Sequence, residues 1–278
     1  MRFSPMVGIP KGSADTDPLV ERARQFSART ISTYTGGDWS DSDVRQARRL
    51  LDDCGLSVGE FCWLRVDLNA SSSEQREKFK RHLSHAAMLR AHCAGFAMKP
   101  EGAHPFDPVT EKNWDRDTWL RCMDRVADLL QIAREQGAVV AAHPHLLTPL
   151  NSIERFRELL GSFDSTHLKA LLDPVNLTHP ADVFDTAQVI NDLFDALHGH
   201  IAAIHTKDIL LTRGTGGLLQ LEETVPGRGV LDYRVLLRRA SVLAPEVTLQ
   251  VEHFEGEDIV EGQDFISAVA AELGLTID

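Results

Sequence analysis

Eight short apolar runs of strand length alternate with stretches of helical periodicity along this chain, and that strict alternation constrains the fold more than any other feature. The runs fall at residues 3–9, 30–34, 61–66, 94–99, 138–142, 168–172, 201–204 and 247–251. Between and after them the pattern predicts helices at 18–26, 43–53, 73–92, 117–136, 183–197, 232–240 and 265–273. Asn151, with Glu154 three residues on, is read as a capping box that opens one more. In the clearest helix Trp119, Met123, Val126, Leu130 and Ala133 share one stripe, and Gly137 follows as its stop. Eight units averaging ~35 residues match a single-domain (β/α)8 TIM barrel spanning residues 1–278. An open doubly wound sheet would not need eight such regular units. One long connection, the glycine-rich stretch 211–229, is expected to be a loop and a lid.

Charge and composition narrow the partners. With 41 acidic and 29 basic side chains the net charge is −12, which repels a phosphate backbone, so nucleic acid is not expected to bind. The apolar runs fall well short of the ~18 residues of a membrane span, and the first residues do not resemble a secretory leader. The reading is a cytoplasmic protein off the membrane. Cys54, Cys62, Cys93 and Cys122 form no CxxC pair and are expected as free thiols. A small polar substrate fits better. A macromolecular partner, if there is one, would be a second copy of the chain or a different subunit.

Barrel chemistry sits at the C-terminal ends of strands, where the βα loops gather. Here the fifth run ends in His143 and His145, the sixth in Asp173 and Asn176, the seventh in His205, Lys207 and Asp208, and the eighth in Glu252 and His253. One such residue is ordinarily a turn former or cap; four successive strand ends carrying a potential ligand are harder to dismiss. Period-two alternation puts His143 on the face of Ala141 and Glu252 on that of Gln250. Two imidazoles and two carboxylates converging on the axis suit Mn²⁺, Zn²⁺ or Co²⁺.

Other motifs yield less. Residues 55–59 spell GxSxG, but a helix precedes and a strand follows, the reverse of a nucleophile elbow around Ser57. His82, His85 and His92 are read as a solvated helix face. Lys99, Glu101, His104, Lys207 and Arg228 lie within reach of the barrel mouth, and Glu101, Arg228 and Lys207 are carried as candidate substrate contacts, although Lys207 and Asp208 could equally hold strand seven in place through their neighbours.

The segments LLDPVN (171–176), IHTKD (204–208), VPGRGVLDY (225–233) and VEHF (251–254) resemble the xylose-isomerase-like barrel superfamily of sugar-phosphate isomerases and epimerases, inosose dehydratases and endonuclease IV. The resemblance spans nearly the whole chain. It implies that Asp173, His205 and Glu252 bind one divalent metal, with Mn²⁺ expected and Mg²⁺, Co²⁺ or Zn²⁺ as alternatives. The family's fourth ligand is commonly a glutamate ending strand five; this chain departs by placing His143 there, with His145 as the alternative ligand. In the family's ketose epimerases two metal-bound glutamates work on opposite faces of the substrate. Here only Glu252 remains, and His145 is the candidate for the second acid or base. The resemblance implies a metal-dependent isomerase or epimerase of a keto-sugar or related polyol. The alternatives are a lyase (dehydration, or cleavage of a 3-keto-glycoside), a non-catalytic sugar-binding barrel and an abasic-site endonuclease.

Overall fold

The computed structural model describes residues 1–12, 16–99, 110–163 and 165–277. Strands β1 (Arg2–Phe3), β2 (Thr30–Thr33), β3 (Ser57–Val66), β4 (Cys93–Met98), β5 (Val140–His143), β6 (Leu168–Leu172), β7 (Ile201–Thr206) and β10 (Thr248–Val251) form one parallel sheet in the order β1-β10-β7-β6-β5-β4-β3-β2. A bridge between Met6 and Ser32 joins its two ends, so the sheet is a nearly closed (β/α)8 barrel. The first strand is much shorter than its apolar run. Pro5 has no N–H to donate, and pairing resumes only where Ser32 N donates to the Pro5 carbonyl.

Among the described residues eight α-helices alternate with the barrel strands: α1 (Asp17–Gln25), α2 (Asp41–Asp53), α3 (Ser72–Met88), α4 (Arg116–Gln136), α5 (Ile153–Ser162), α6 (Thr186–Ala196), α7 (Tyr233–Ala240) and α8 (Glu257–Glu272). Capping boxes open two of them, Ser40 with Asp43 at α2 and Ser71 with Glu74 at α3. The predicted box at Asn151 is corrected. Ser152 caps α5, while the Asn151 side chain donates to the Asn113 carbonyl. Gly137 ends α4 in the left-handed conformation, φ 64°.

Alternation along the strands sorts the core. Val140 and Ala142 face the helices and belong to the main apolar cluster; Ala141, Leu171, Ala202, Ala203 and Cys93 form a small cluster inside the barrel. These small side chains leave room for the Trp63 ring to pack onto them. One extra residue in β3, between Phe61 and Leu64, shifts the register against β4 and marks a bulge.

The expected loop at 211–229 is instead largely an antiparallel hairpin, β8 (Asp208–Arg213) with β9 (Leu219–Thr224). Its strands escaped the sequence reading because β9 is mostly exposed and carries no buried run. Gly216 and Gly217, at φ 71° and 81°, make the turn. The segment after the hairpin is folded around Asp208, whose carboxylate accepts from the backbone N–H of Ile209, Gly227 and Leu231 at 2.8–2.9 Å. A Cβ on Gly229 would lie 2.2 Å from that carboxylate, so only glycine fits. Asp208 therefore shapes the loop that follows the hairpin.

Candidate metal centre

Four strand ends deliver their polar residues to one place. His143 ends β5, Asp173 follows β6, His205 lies near the end of β7 and Glu252 follows β10. All four are buried, and one ligand atom from each lies within 4.8 Å of the others. His143 Nε2 is 3.2 Å from Asp173 Oδ2, and His205 Nδ1 is 3.2 Å from both His143 Nε2 and Glu252 Oε2. Hydrogen bonds orient the rings. Asn176 Nδ2 donates to His143 Nε2, leaving that nitrogen as the acceptor, and Asn176 N donates to Asp173 Oδ1. The Asn176 amide also reaches the Pro144 carbonyl, tying β5 to the turn after β6.

His205 is held from its other side. Its Nε2 donates to Glu60 Oε2 at 3.0 Å, which turns Nδ1 toward the other three ligands. Glu60 is fully buried in the middle of β3, and its Oε1 has no partner among the described residues. A Cβ on Gly95 of β4 would stand 2.2 Å from that oxygen, so the neighbouring strand keeps a glycine where the carboxylate needs space. The sequence reading missed Glu60. The available signal was a single acid inside an apolar strand, VGEFCWL, rather than at its end.

Lys207 occupies the same place. It is fully buried, with Nζ 2.9 Å from Asp173 Oδ2, 2.8 Å from Glu252 Oε2, 3.0 Å from Asn176 Oδ1 and 3.4 Å from Glu223 Oε2 of the hairpin. Its ammonium is thus committed to the cluster. Burial raises the carboxyls of Asp173 and Glu252, but the Lys207 and histidine charges outweigh it, holding both well below the usual carboxylate range. Burial lowers His205, yet the charges of Glu252 and Glu60 prevail and hold it well above the usual imidazole value. For His143 burial wins and the shift is downward.

His145 lies beside the cluster but outside the set of four. Its Nδ1 accepts from Leu147 N at 3.0 Å, and burial with the nearby Lys207 charge pulls it down to about 4, so at neutral pH it is an uncharged ring bearing its proton on Nε2. Arg228 lies at the surface with its guanidinium on Glu261 and Asp258 of α8. Lys99 pairs with Asp67 at 3.0 Å. Glu101 and His104 lie outside the described residues. Ser57 starts β3, at the end of the strand away from the site, and bonds Thr30. The histidines of α3 do not form a solvated face. His85 is buried against Thr35, and His82 packs on Phe61 with ring centroids 4.4 Å apart. The four cysteines are free thiols.

The donor set fits a divalent ion. Asp173, Glu252 and Glu60 put three carboxylates into a buried space with the Lys207 ammonium and the His205 imidazolium, an excess of negative charge that a cation would offset. Two nitrogens and two carboxylate oxygens are the donors that borderline and hard divalent ions accept. The Trp63 ring, 4.8 Å from the His143 ring and 5.6 Å from that of His205, covers the imidazoles.

A barrel with a two-histidine, two-carboxylate cluster at its C-terminal mouth defines a class, the TIM barrels equipped to hold a divalent cation. Comparison narrows the class: the model of the xylose isomerase-like TIM barrel family matches residues 20–269, and the chain belongs to that family. No curated protein matches it in sequence. Several solved structures share the fold. A xylose isomerase-like TIM barrel protein from Mycobacterium smegmatis in complex with magnesium is 15% identical, with 98% of this chain and 97% of that one covered and a TM-score of 0.69. D-psicose 3-epimerase with D-tagatose from Clostridium cellulolyticum H10 is 13% identical, with 98% of each chain covered and a TM-score of 0.64. Mannonate dehydratase from Streptococcus suis is 13% identical, with 100% and 97% covered and a TM-score of 0.66. Among the described residues no helix is long and apolar enough to cross a membrane.

Proposed function

We propose that the protein is a divalent-metal-dependent isomerase or epimerase acting on a keto-sugar or related polyol. The observation that carries this reading is the buried convergence of His143, Asp173, His205 and Glu252. A divalent ion held by these four, Mn²⁺ by expectation, would polarise a substrate carbonyl and acidify the C–H beside it. Glu252 is the base. Its Oε2 holds Lys207, while its Oε1 is 3.7 Å from the exposed His253. It also borders a 460 Å³ cavity through which substrate can approach. Against the burial that would raise it, the charges of His205 and Lys207 keep Glu252 ionised, the form that a base must have. His145 stands beside the cluster as a neutral ring whose Nδ1 accepts from Leu147 N, and it is the candidate for the second acid or base.

A second reading is a lyase built on the same first step. It is favoured by His143, an imidazole where the family commonly has a second glutamate. Returning a proton on the opposite face needs a second acid–base group there, whereas elimination of a β-substituent does not. A mannonate dehydratase and a psicose epimerase among the structural neighbours show that the fold houses both outcomes. The deciding experiment is a keto-sugar panel in D₂O with Mn²⁺. Deuterium at the carbon beside the carbonyl of recovered sugar or epimer supports the first reading, and loss of water or of a glycosyl group supports the second. If no substrate exchanges or eliminates, and Asp173→Ala retains metal like wild type, both readings fall.

A further inference from the structure

Beside the metal centre, and joined to it at Trp63, lies a larger cavity of 740 Å³ between the ends of β2, β3 and β4 and the face of α3. Its described charged lining is Arg65, Lys78, Arg81, Lys99 and Asp67, four cations against one carboxylate in a chain whose net charge is −12. Two of the cations are already engaged: Lys99 pairs with Asp67, and Arg81 donates to the Gly37 carbonyl at 2.7 Å. The other two have, among the described residues, only longer-range charge interactions, Arg65 with Glu252 and Lys78 with Glu74. The side chains of Arg65 and Lys78 make no hydrogen bond or ion pair with any described residue, although both face a concave space where a counter-charge would be stabilised.

The path from this cavity to the metal ligands is short. Trp63 lines it, lines the adjoining 460 Å³ cavity that holds Glu252, and packs its ring 4.8 Å from that of His143. The β3 bulge makes this geometry. One extra residue between Phe61 and Leu64 lets Trp63 cover the histidines while Arg65, two residues on, lines the cavity. A molecule with its carbonyl at the four ligands would cross the Trp63 face and place its far end among Arg65 and Lys78.

We propose that this cavity binds an oxyanion, a carboxylate or a phosphate, carried by the substrate at the end remote from its carbonyl, so that the substrate is an acidic rather than a neutral sugar. This rests on the metal-dependent reading above. An arginine fork pairs two oxygens of such a group at once, and a flexible lysine adds a point charge, which is the usual division of labour in oxyanion recognition.

The test is calorimetry on protein stripped of metal with EDTA and then exchanged into chelator-free, metal-free buffer, so that no anion can bind through a metal, with orthophosphate and D-gluconate as probes and D-glucitol as the uncharged counterpart. Wild type should bind at least one anion and not glucitol. Phosphate alone points to phosphorylated sugars, gluconate alone to sugar acids, and either outcome supports the proposal. Arg65→Met should weaken the bound anion at least tenfold. Arg65→Lys, which keeps the charge and the fold but loses the fork, should fall between. Lys169→Met, removing an ammonium that donates to the Gly199 carbonyl at the other end of the barrel, should change nothing. The proposal is overturned if neither anion binds, if glucitol binds equally, or if both Arg65 variants bind like wild type. Manganese titration of wild type separates the two failures. Metal binding without anion binding removes only the cavity proposal, and anion binding without metal binding removes only the metal reading.

Discussion

A methyl group added at Gly95 tests the metal centre without touching any ligand. The new Cβ of Gly95→Ala would sit 2.2 Å from Glu60 Oε1, more than 1 Å inside ordinary contact, and 3.1–3.2 Å from the Trp63 ring. Glu60 is fully buried, so its carboxylate has little freedom except to leave the 3.0 Å bond to His205 Nε2. His205 would then lose the contact that aims Nδ1 at the other ligands. Loss of such an outer partner costs about 10- to 100-fold in metal affinity, or roughly 1.4–2.8 kcal/mol.

The assay is competitive Mn²⁺ titration of four proteins: wild type, Gly95→Ala, Glu60→Ala and the double variant. In wild type the methyl should cost the full 10- to 100-fold. With Glu60 truncated the methyl has space, so there it should cost less than about 3-fold, and the double variant should bind much as Glu60→Ala does. Glu60→Gln, which keeps the acceptor and loses the charge, should lie between. Equal losses in both backgrounds would mean that Gly95 acts through Trp63 or the strand, and an unchanged affinity in Gly95→Ala would refute the positioning role of Glu60 outright.

Three further outcomes are expected. Glu252→Gln, measured at saturating Mn²⁺, should lose about 10²- to 10⁴-fold in substrate proton exchange, because Gln keeps the shape but offers no basic oxygen; a near-normal rate would make Glu252 only a ligand. Metal uptake should strengthen as pH rises. His205 is held protonated above its usual ~6.5, an ion at Nδ1 must expel that proton, and in the metal-free protein the stabilisation from this group is full below ~6.5 and lost as pH rises through its raised value. Calorimetry from pH 6 to 8 in buffers of different ionisation enthalpy should therefore find proton release on Mn²⁺ binding, and its absence would sink the assignment. Limited proteolysis should cut first at the hairpin tip near the exposed Leu218, and metal with substrate should slow it, since Glu223 connects the hairpin to Lys207 and His253; equal cutting with and without them argues for a plain surface hairpin.

What the sequence made legible follows from where each residue lies in a strand. Asp173, His205 and Glu252 each end an apolar run, and the barrel has its open mouth there, so position alone points at chemistry. Glu60 lies just before the bulge in β3, inside the barrel, and its purpose becomes visible only when β7 brings His205 across to it, 145 positions along the chain. Gly95 is legible only through Glu60. Lys207 and Arg228 were both within reach of the mouth, but reach does not say which counter-charges arrive. The turn after β6, the hairpin and β10 surround Lys207 with acceptors, while α8 offers Arg228 two carboxylates at the surface.

His143, where the family resemblance implies a glutamate, and the burial of Lys207 act on the centre in the same direction. With neutral imidazoles, Asp173, Glu252 and Glu60 carry three negative charges and Lys207 one positive, so a divalent ion brings the buried group to neutrality. A second carboxylate at position 143 would instead leave a negative balance, suited to a glutamate acting as base on each face of the substrate. In the proposed reaction the neutral centre keeps one carboxylate base, Glu252, held ionised beside Lys207, with the neutral His145 ring nearby. One base with no second carboxylate opposite it matches a reaction that removes a proton on one side and needs none returned to the other. That describes aldose–ketose transfer and β-elimination better than inversion of a carbon through opposite faces. Within the proposed function the charge balance therefore favours isomerisation over epimerisation, and exchange of a single prochiral hydrogen in D₂O, with the adjacent stereocentre retained, is the outcome it requires; inversion at that carbon would show that a second acid–base group exists.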